Sequence, residues 1–324
     1  MQRNPFVFVV GCPRSGTTLL QRMLDNHPGL AVANDTHFIP RALGTGAMAE
    51  DPLLSDDLVQ AAVGYRRFPR LGISKDTAEQ IARGARTYGE FVGRLYSEFA
   101  RMHGKPLGGE KTLDYVRYLP LLHRLFPWAK IVHIIRDGRD VALSTLEWAN
   151  ENKGPGRYEL WRTEPLAVCA LWWRWQVGAG RAWAREIGQD VYREVIYEDL
   201  VAQPERVLRD LADFLGLPFA QEMVEFHVGK VRDEPGLSAK EAWLPTMSGL
   251  RDWRKKFSAN DLELFDALAG DLLTDLGYDL GSGGISPETT DKATRYRRWW
   301  DAEQARRKLS RAYGRDASPD RSFT

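Results

Sequence analysis

The sequence predicts an α/β protein, a P-loop-like central parallel β-sheet flanked by helices on both faces, and three observations carry that reading. An apolar, β-rich run, Pro5-Phe-Val-Phe-Val-Val10, stops at a glycine-bounded loop and is followed by an amphipathic segment. A strand-then-helix order returns at 129–149 and again at 191–215. Successive βα units build a parallel sheet, because each crossover returns the chain to the edge it started from.

The elements follow in order. After the loop 11–16, residues 17–24 place Leu20, Met23 and Leu24 on one helical face, and Pro28 and Gly29 end that helix. Residues 77–102 read as one amphipathic helix, with Ile81, Tyr88, Val92, Leu95 and Phe99 near helical spacing. A short strand leads into Gly109-Glu-Lys-Thr112. Residues 118–126 fit a helix ended by Pro127, 129–135 a strand, and 141–149 a helix. A third strand is expected at 191–197. The helix 205–215 follows, with Pro204 at its start and Gly216 as its stop. Segment 230–256 is loop-like. Ser258 caps a helix through Leu276, with Asp261 three residues on and Gly277 closing it.

Composition narrows the function classes. The 324 residues are 43% hydrophobic and 27% charged, ordinary for a soluble enzyme with a full core. Lys and Arg number 45 against 44 Asp and Glu, so nucleic acid bound over the whole surface is not expected, although a local anion site is allowed. Cys12 and Cys169 make no disulfide framework. No apolar run approaches the roughly 18 residues of a membrane span, and the stretch 6–10 is too short for a signal-peptide core. A cytoplasmic protein without membrane partners is therefore expected. Residues 1–284 read as one domain and 285–324 as a basic helical C-terminal extension. From residue 287 onward, ten Lys or Arg stand against six Asp or Glu, and the paired Trp299 and Trp300 are expected to anchor a solvated helix.

Gly11-Cys-Pro-Arg-Ser-Gly16-Thr17-Thr18 has the spacing of a phosphate loop. Successive backbone N–H groups leading into a helix N-terminus cradle an anion. A kinase would carry Lys after the second glycine, where this chain has Thr17. It would also place an acidic Mg²⁺ ligand after a second strand, and here that strand ends in Arg136. No His/Cys/acid cluster has metal-ligand spacing, so no metal is expected.

Three stretches together resemble the sulfotransferase family that uses 3′-phosphoadenosine-5′-phosphosulfate (PAPS). Pro13-Arg-Ser-Gly-Thr-Thr-Leu-Leu20 is similar to its 5′-phosphosulfate loop. Arg136-Asp-Gly-Arg-Asp-Val-Ala-Leu-Ser144 is similar to its 3′-phosphate motif, and Tyr197-Glu-Asp-Leu200 through Phe214-Leu-Gly216 to a third. The likeness covers mainly 5–41, 109–148 and 191–256. It implies the sulfotransferase fold, with PAPS as co-substrate and the bisphosphate nucleotide PAP as product. By that likeness Pro13, Arg14, Ser15, Gly16, Thr17 and Thr18 bind the 5′-phosphosulfate, and Arg136 and Ser144 the 3′-phosphate. An arginine and a hydroxyl converging on one phosphate suit that task. The likeness also implies that Tyr197 contacts adenine and that a loop at 248–254 covers the nucleotide through Arg251 and Arg254.

Sulfuryl transfer needs a base for the acceptor and cations for the developing charge. Arg14 and Lys111 are the candidate cations. Asp35, His37 and Glu110 are the candidate bases. The stretch 14–41 is similar to tyrosylprotein sulfotransferases, where a Glu takes the place of Asp35 and an Arg that of His37. Histidine, with an unperturbed pKa of about 6.5, is matched to neutral pH. If 34–38 is extended, Asp35 and His37 share a face. Phe38, Trp148, Trp161, Trp172, Trp173 and Trp175 either line an acceptor pocket or belong to the core. A small-molecule phenol or alcohol is the expected acceptor. An ATP-dependent small-molecule kinase and a non-catalytic bisphosphate-nucleotide-binding module are the alternatives.

Overall fold

Five parallel strands pair in the order β2-β3-β1-β4-β5: β1 Val7–Gly11, β2 Leu30–Asn34, β3 Leu107–Lys111, β4 Lys130–Ile135 and β5 Tyr192–Ile196. The computed structural model describes residues 3–44, 50–151, 153–228 and 252–312, with side chains to 307 in the last helix. Alternation along each strand divides the core between the two faces of the sheet. Phe8, Val10, Ala31, Ala33 and Ile131 join one buried cluster, whereas Val7, Val9, Leu30, Val32, Val132 and Ile134 join the other.

The helices are α1 Thr17–Asp25, α2 Phe38–Ala42, α3 Asp56–Val63, α4 Lys75–Arg83, α5 Tyr88–Met102, α6 Leu119–Leu125, α7 Gly138–Trp148, α8 Pro165–Ile187, α9 Tyr197–Ala202, α10 Pro204–Leu215, α11 Trp253–Lys256, α12 Ala259–Asp275 and α13 Pro287–Ala312. Leu20, Met23 and Leu24 of α1 and Leu208, Leu211 and Leu215 of α10 cover one face of the sheet. Phe91, Val92 and Leu95 of α5 cover the other.

The chain divides into two units. One comprises Met1–Ile135 with Ala179–Ser248 and holds the whole sheet; the other comprises Arg136–Gly178 with Gly249–Thr324. In the second unit Trp173 packs on Phe265 with ring centroids 6.2 Å apart, and α13 lies against α12. Trp300 is buried against Tyr158 and Trp175, at 4.7 and 6.0 Å between centroids. Trp172 and Trp173 are core residues, and in the first unit Phe38 is buried between Phe68 and Tyr96. Among the described residues, no helix is long and apolar enough to cross a membrane.

Two local expectations are corrected. The helix expected at 77–102 is two helices, because the chain leaves α4 at Gly84 and restarts at Thr87. The hydroxyl of Thr87 accepts from the backbone N–H of Glu90, and the Glu90 carboxylate accepts from that of Arg86. Segment 34–38 is not extended. Asp35 and His37 are both left-handed, with φ 56° and 60°, and His37 opens α2.

Candidate active site

In open parallel sheets, ligands bind beyond the carboxyl ends of the strands. The first unit places its candidate residues there. β1 runs into the loop 11–16, β2 into Asp35 and His37, β3 ends on Lys111, and β5 runs into Tyr197.

The loop is built for an anion. Pro13 and Ser15 are buried, and the Ser15 N–H donates to Cys12 O at 3.1 Å. Arg14, half-buried, is left-handed at φ 77°, and Gly16 follows at φ 89° as the N-cap of α1 with no side-chain cap. The first turn of α1, with buried Thr17 and half-buried Thr18, keeps its forward-pointing N–H groups for a ligand. The Ser15 hydroxyl is buried and makes no hydrogen bond among the described residues. A phosphate or sulfate oxygen fits that donor. Tyr197 closes over the loop: a Cβ on Gly16 would lie 2.3 Å from Tyr197 Cδ2, so only glycine admits the ring.

Beside it, Asp35, His37 and Lys111 come together. Lys111 sits opposite Val9 in the ladder, is fully buried, and puts its Nζ 3.1 Å from Asp35 Oδ2. Arg70 lies 3.8 Å from the same oxygen and donates to the Asp35 carbonyl at 3.3 Å. His37 Nε2 is 3.9 Å from Asp35 Oδ1, and its Nδ1 is 2.7 Å from Asp114 Oδ1. Asp114 is buried. Its other oxygen faces Arg117 at 3.1 Å and Arg41 at 3.4 Å. Burial pushes the Asp114 carboxyl up, but His37, Arg117 and Arg41 outweigh it and hold the group well below the ordinary carboxylate range.

Glu110 supports this turn from below. Its carboxylate accepts from the Thr36 N–H at 3.0 Å, from Tyr96 OH at 2.6 Å and from the Thr112 hydroxyl. Burial raises its pKa against those bonds. Buried and with both carboxylate oxygens committed to three donors, it shapes the turn. The Ile39 N–H donates to Tyr115 OH at 3.2 Å and Tyr88 OH to the Ile39 carbonyl at 3.0 Å, which fixes the start of α2.

The second unit carries the remaining candidates. Arg136, the residue after β4, is buried with its guanidinium 3.4 Å from Asp140, while its carbonyl accepts from Trp173 Nε1 at 3.1 Å. Ser144 is buried on α7. Asp137 caps α7 and pairs with buried Arg139 at 2.8 Å. Trp253 lies beneath the Arg139 guanidinium at 3.8 Å and donates to Asp137 Oδ2 at 3.0 Å. Arg254 is exposed, its guanidinium 4.4 Å over the Trp253 ring. Arg251 lies outside the described residues.

Asp114 and Arg70 were not singled out by sequence. Asp114 follows Lys111 by three residues in a 3-10 turn, Leu113–Arg117, whose polar density after a strand is the one available signal. Arg70 reaches Asp35 across 35 residues of chain, with no local pattern to mark it. Among the described residues, no group of three or more His, Cys, Asp or Glu is placed to hold a metal ion.

Known proteins resemble this chain in sequence and fold. The model of the sulfotransferase family matches residues 5–221. The chain is 27% identical to the protein-tyrosine sulfotransferase of Drosophila melanogaster, over 66% of this chain and 38% of that protein. It is 26% identical to protein-tyrosine sulfotransferase A of Caenorhabditis elegans, over 68% of this chain and 52% of that protein. It thus spans about half or less of the length of these two relatives. The sulfotransferase domain from the curacin biosynthetic pathway aligns with a TM-score of 0.55 at 20% identity, covering 85% of this chain and 98% of that one, a likeness of fold.

Proposed function

Because the chain belongs to the sulfotransferase family, we propose that it moves a sulfuryl group from PAPS to a hydroxyl acceptor. One observation carries this reading. The loop 11–18 presents a buried Ser15 hydroxyl and uncapped helix N–H groups, with its cation at Arg14 and a threonine where a kinase needs lysine. PAPS supplies an activated mixed anhydride, so the protein's task is to bind, orient and neutralise.

Residues 13–18 hold the phosphosulfate, and Tyr197, seated on Gly16, borders the nucleotide. Arg14 and Lys111 offset charge on the transferring group and the departing phosphate oxygen. Arg136 and Ser144 take the 3′-phosphate, which distinguishes the donor from ATP, and Arg254 contributes at the surface. The Asp35/His37 turn receives the acceptor proton. A phenolic or alcoholic small molecule is the preferred acceptor. A peptide tyrosine is the second reading, favoured by the names of the relatives.

Calorimetric titration with PAP, with ATP as control, on wild type and Arg136→Ala tests the donor. Bisphosphate binding that is at least about tenfold weaker in the variant supports the assignment. Binding of ATP with Mg²⁺ in preference to PAP moves the protein to phosphoryl transfer. PAP binding that persists with no turnover of PAPS, p-nitrophenol or tyrosyl peptide would leave a nucleotide-binding module.

A further inference from the structure

We propose that Asp114 is the positioning residue that holds His37 in the tautomer needed for catalysis, making His37 Nε2 the base for the acceptor hydroxyl. The inference rests on the sulfotransferase reading and deepens it. It begins with the division of the Asp114 carboxylate. Oδ2 faces Arg117 and Arg41, so the carboxylate is fixed in plane and stays ionised, while Oδ1 is presented to His37 Nδ1 at 2.7 Å. The charge of a carboxylate at that distance favours the imidazole proton on Nδ1 and leaves Nε2, itself a buried atom, as the acceptor.

Asp35 is the rival, and its surroundings argue against it. Its carboxylate lies 3.1 Å from the buried Lys111 ammonium and 3.8 Å from Arg70. Taking a proton there would discharge the counter-ion of a fully buried cation. Protonating His37 has the opposite consequence, because the imidazolium would stand between two carboxylates, at 2.7 and 3.9 Å. In the step itself, the acceptor O–H bond breaks and its proton passes to Nε2 as the new O–S bond forms. The bond from sulfur to the bridging phosphate oxygen breaks, and its electron pair stays on that oxygen.

The ring is held for this role. His37 is left-handed at φ 60°, is buried, and meets Tyr115 edge-on at 6.3 Å. The groups facing it are Asp35 just after β2 and Asp114 and Tyr115 from the 3-10 turn, and Arg41 from α2 acts on it through Asp114. Lys111, Arg70 and Arg117 act on it through the two aspartates, and Glu110 through Thr36.

The test starts with [¹⁵N]histidine spectra of the wild type at pH 7, with the signal assigned by its loss in His37→Gln. The expected result is an Nδ1 that carries the proton and an Nε2 that does not, with the Nδ1–H resonance displaced upfield in Asp114→Asn. Kinetics follow on PAPS consumption with p-nitrophenol as acceptor probe and with water alone. Asp114→Asn should lower kcat by about 100-fold and leave KM for p-nitrophenol within about twofold. Asp114→Glu should restore part of the rate. An Nε2-protonated His37 in a protein that binds PAP overturns the pairing by itself, and so does an unchanged kcat in Asp114→Asn. Failure of wild type to bind PAP brings down the reaction instead, and the base assignment with it.

Discussion

Among the described residues, only Arg14, Asp35 and His37 adopt a left-handed backbone without being glycine, and each costs on the order of 1 kcal/mol. All three were candidate catalytic residues on sequence grounds alone, so strain collects where orientation matters. Asp and His are among the residue types that tolerate this region, and arginine is not. Asp35 has a second task, since it provides the counter-charge for Lys111. Asp35→Asn keeps the backbone geometry but leaves a fully buried ammonium facing a neutral amide. Urea unfolding should show a loss of about 3 kcal/mol, most of it recovered when Lys111→Met is added; an unchanged midpoint would mean the pair contributes nothing to stability. At Gly16 the limit is space. Gly16→Ala sets a methyl carbon 2.3 Å from Tyr197 in a backbone conformation that alanine resists. PAP affinity should fall by about tenfold or more, as a distorted cradle loses its N–H geometry.

At the level of elements, local chemistry was readable and long-range convergence was not. The capping box Ser258/Asp261 stands as the sequence places it, with Ser258 Oγ accepting at 3.2 Å and Gly277 left-handed beyond the end. Strands β1 and β4 were visible as short apolar runs, because a sheet covered on both faces has no polar side to interrupt them, whereas β2, Leu30–Asn34, was not singled out. The break between α4 and α5 was hidden, because the apolar spacing from Ile81 through Tyr88 to Phe99 runs across it. Asp114, Arg70 and the Trp253–Asp137 bond, which joins residues 116 apart, have no periodicity to betray them. The pair β4–β5 carries another such partnership. His133 is buried, bonds Tyr192 OH, and is pushed down to about 3 from 6.5 by burial and then by Arg181. Native His133 stays neutral while the unfolded chain takes a proton below pH 6.5. Its contribution to stability is therefore complete above pH 6.5 and is lost toward pH 3, at up to about 1.4 kcal/mol per pH unit. In His133→Gln, urea midpoints between pH 7 and 5 should vary less than in wild type; equal slopes would exclude His133 as the cause. Gly180 makes room for the ring, since a Cβ there would meet His133 Nδ1 at 2.7 Å and Val116 at 2.8 Å. Gly180→Ala should cost about 1–3 kcal/mol by the same measurement, through overpacking.

Over the whole molecule, a net charge of +1 gives no broad field for a polyanion, whereas the sheet's carboxyl edge gathers Arg14, Arg70 and Lys111. Affinity for an anion should therefore depend on shape and on a few fixed contacts rather than on total charge. A ligand that binds only the folded chain at about 100 times its Kd adds about 2.7 kcal/mol to stability, which in a domain of this size raises the melting temperature by several degrees. PAP should produce that shift and heparin should not. ATP should produce less of it if Arg136 and Ser144 take the 3′-phosphate as proposed, since ATP lacks that group. The donor anhydride is already activated, and the reaction read here draws its cations from arginine and lysine side chains, so EDTA should leave both the PAP shift and turnover unchanged. A shift from ATP that appears only with Mg²⁺ would place the loop 11–18 in phosphoryl transfer. A heparin shift equal to that of PAP would mean that the edge recognises negative charge without recognising the nucleotide.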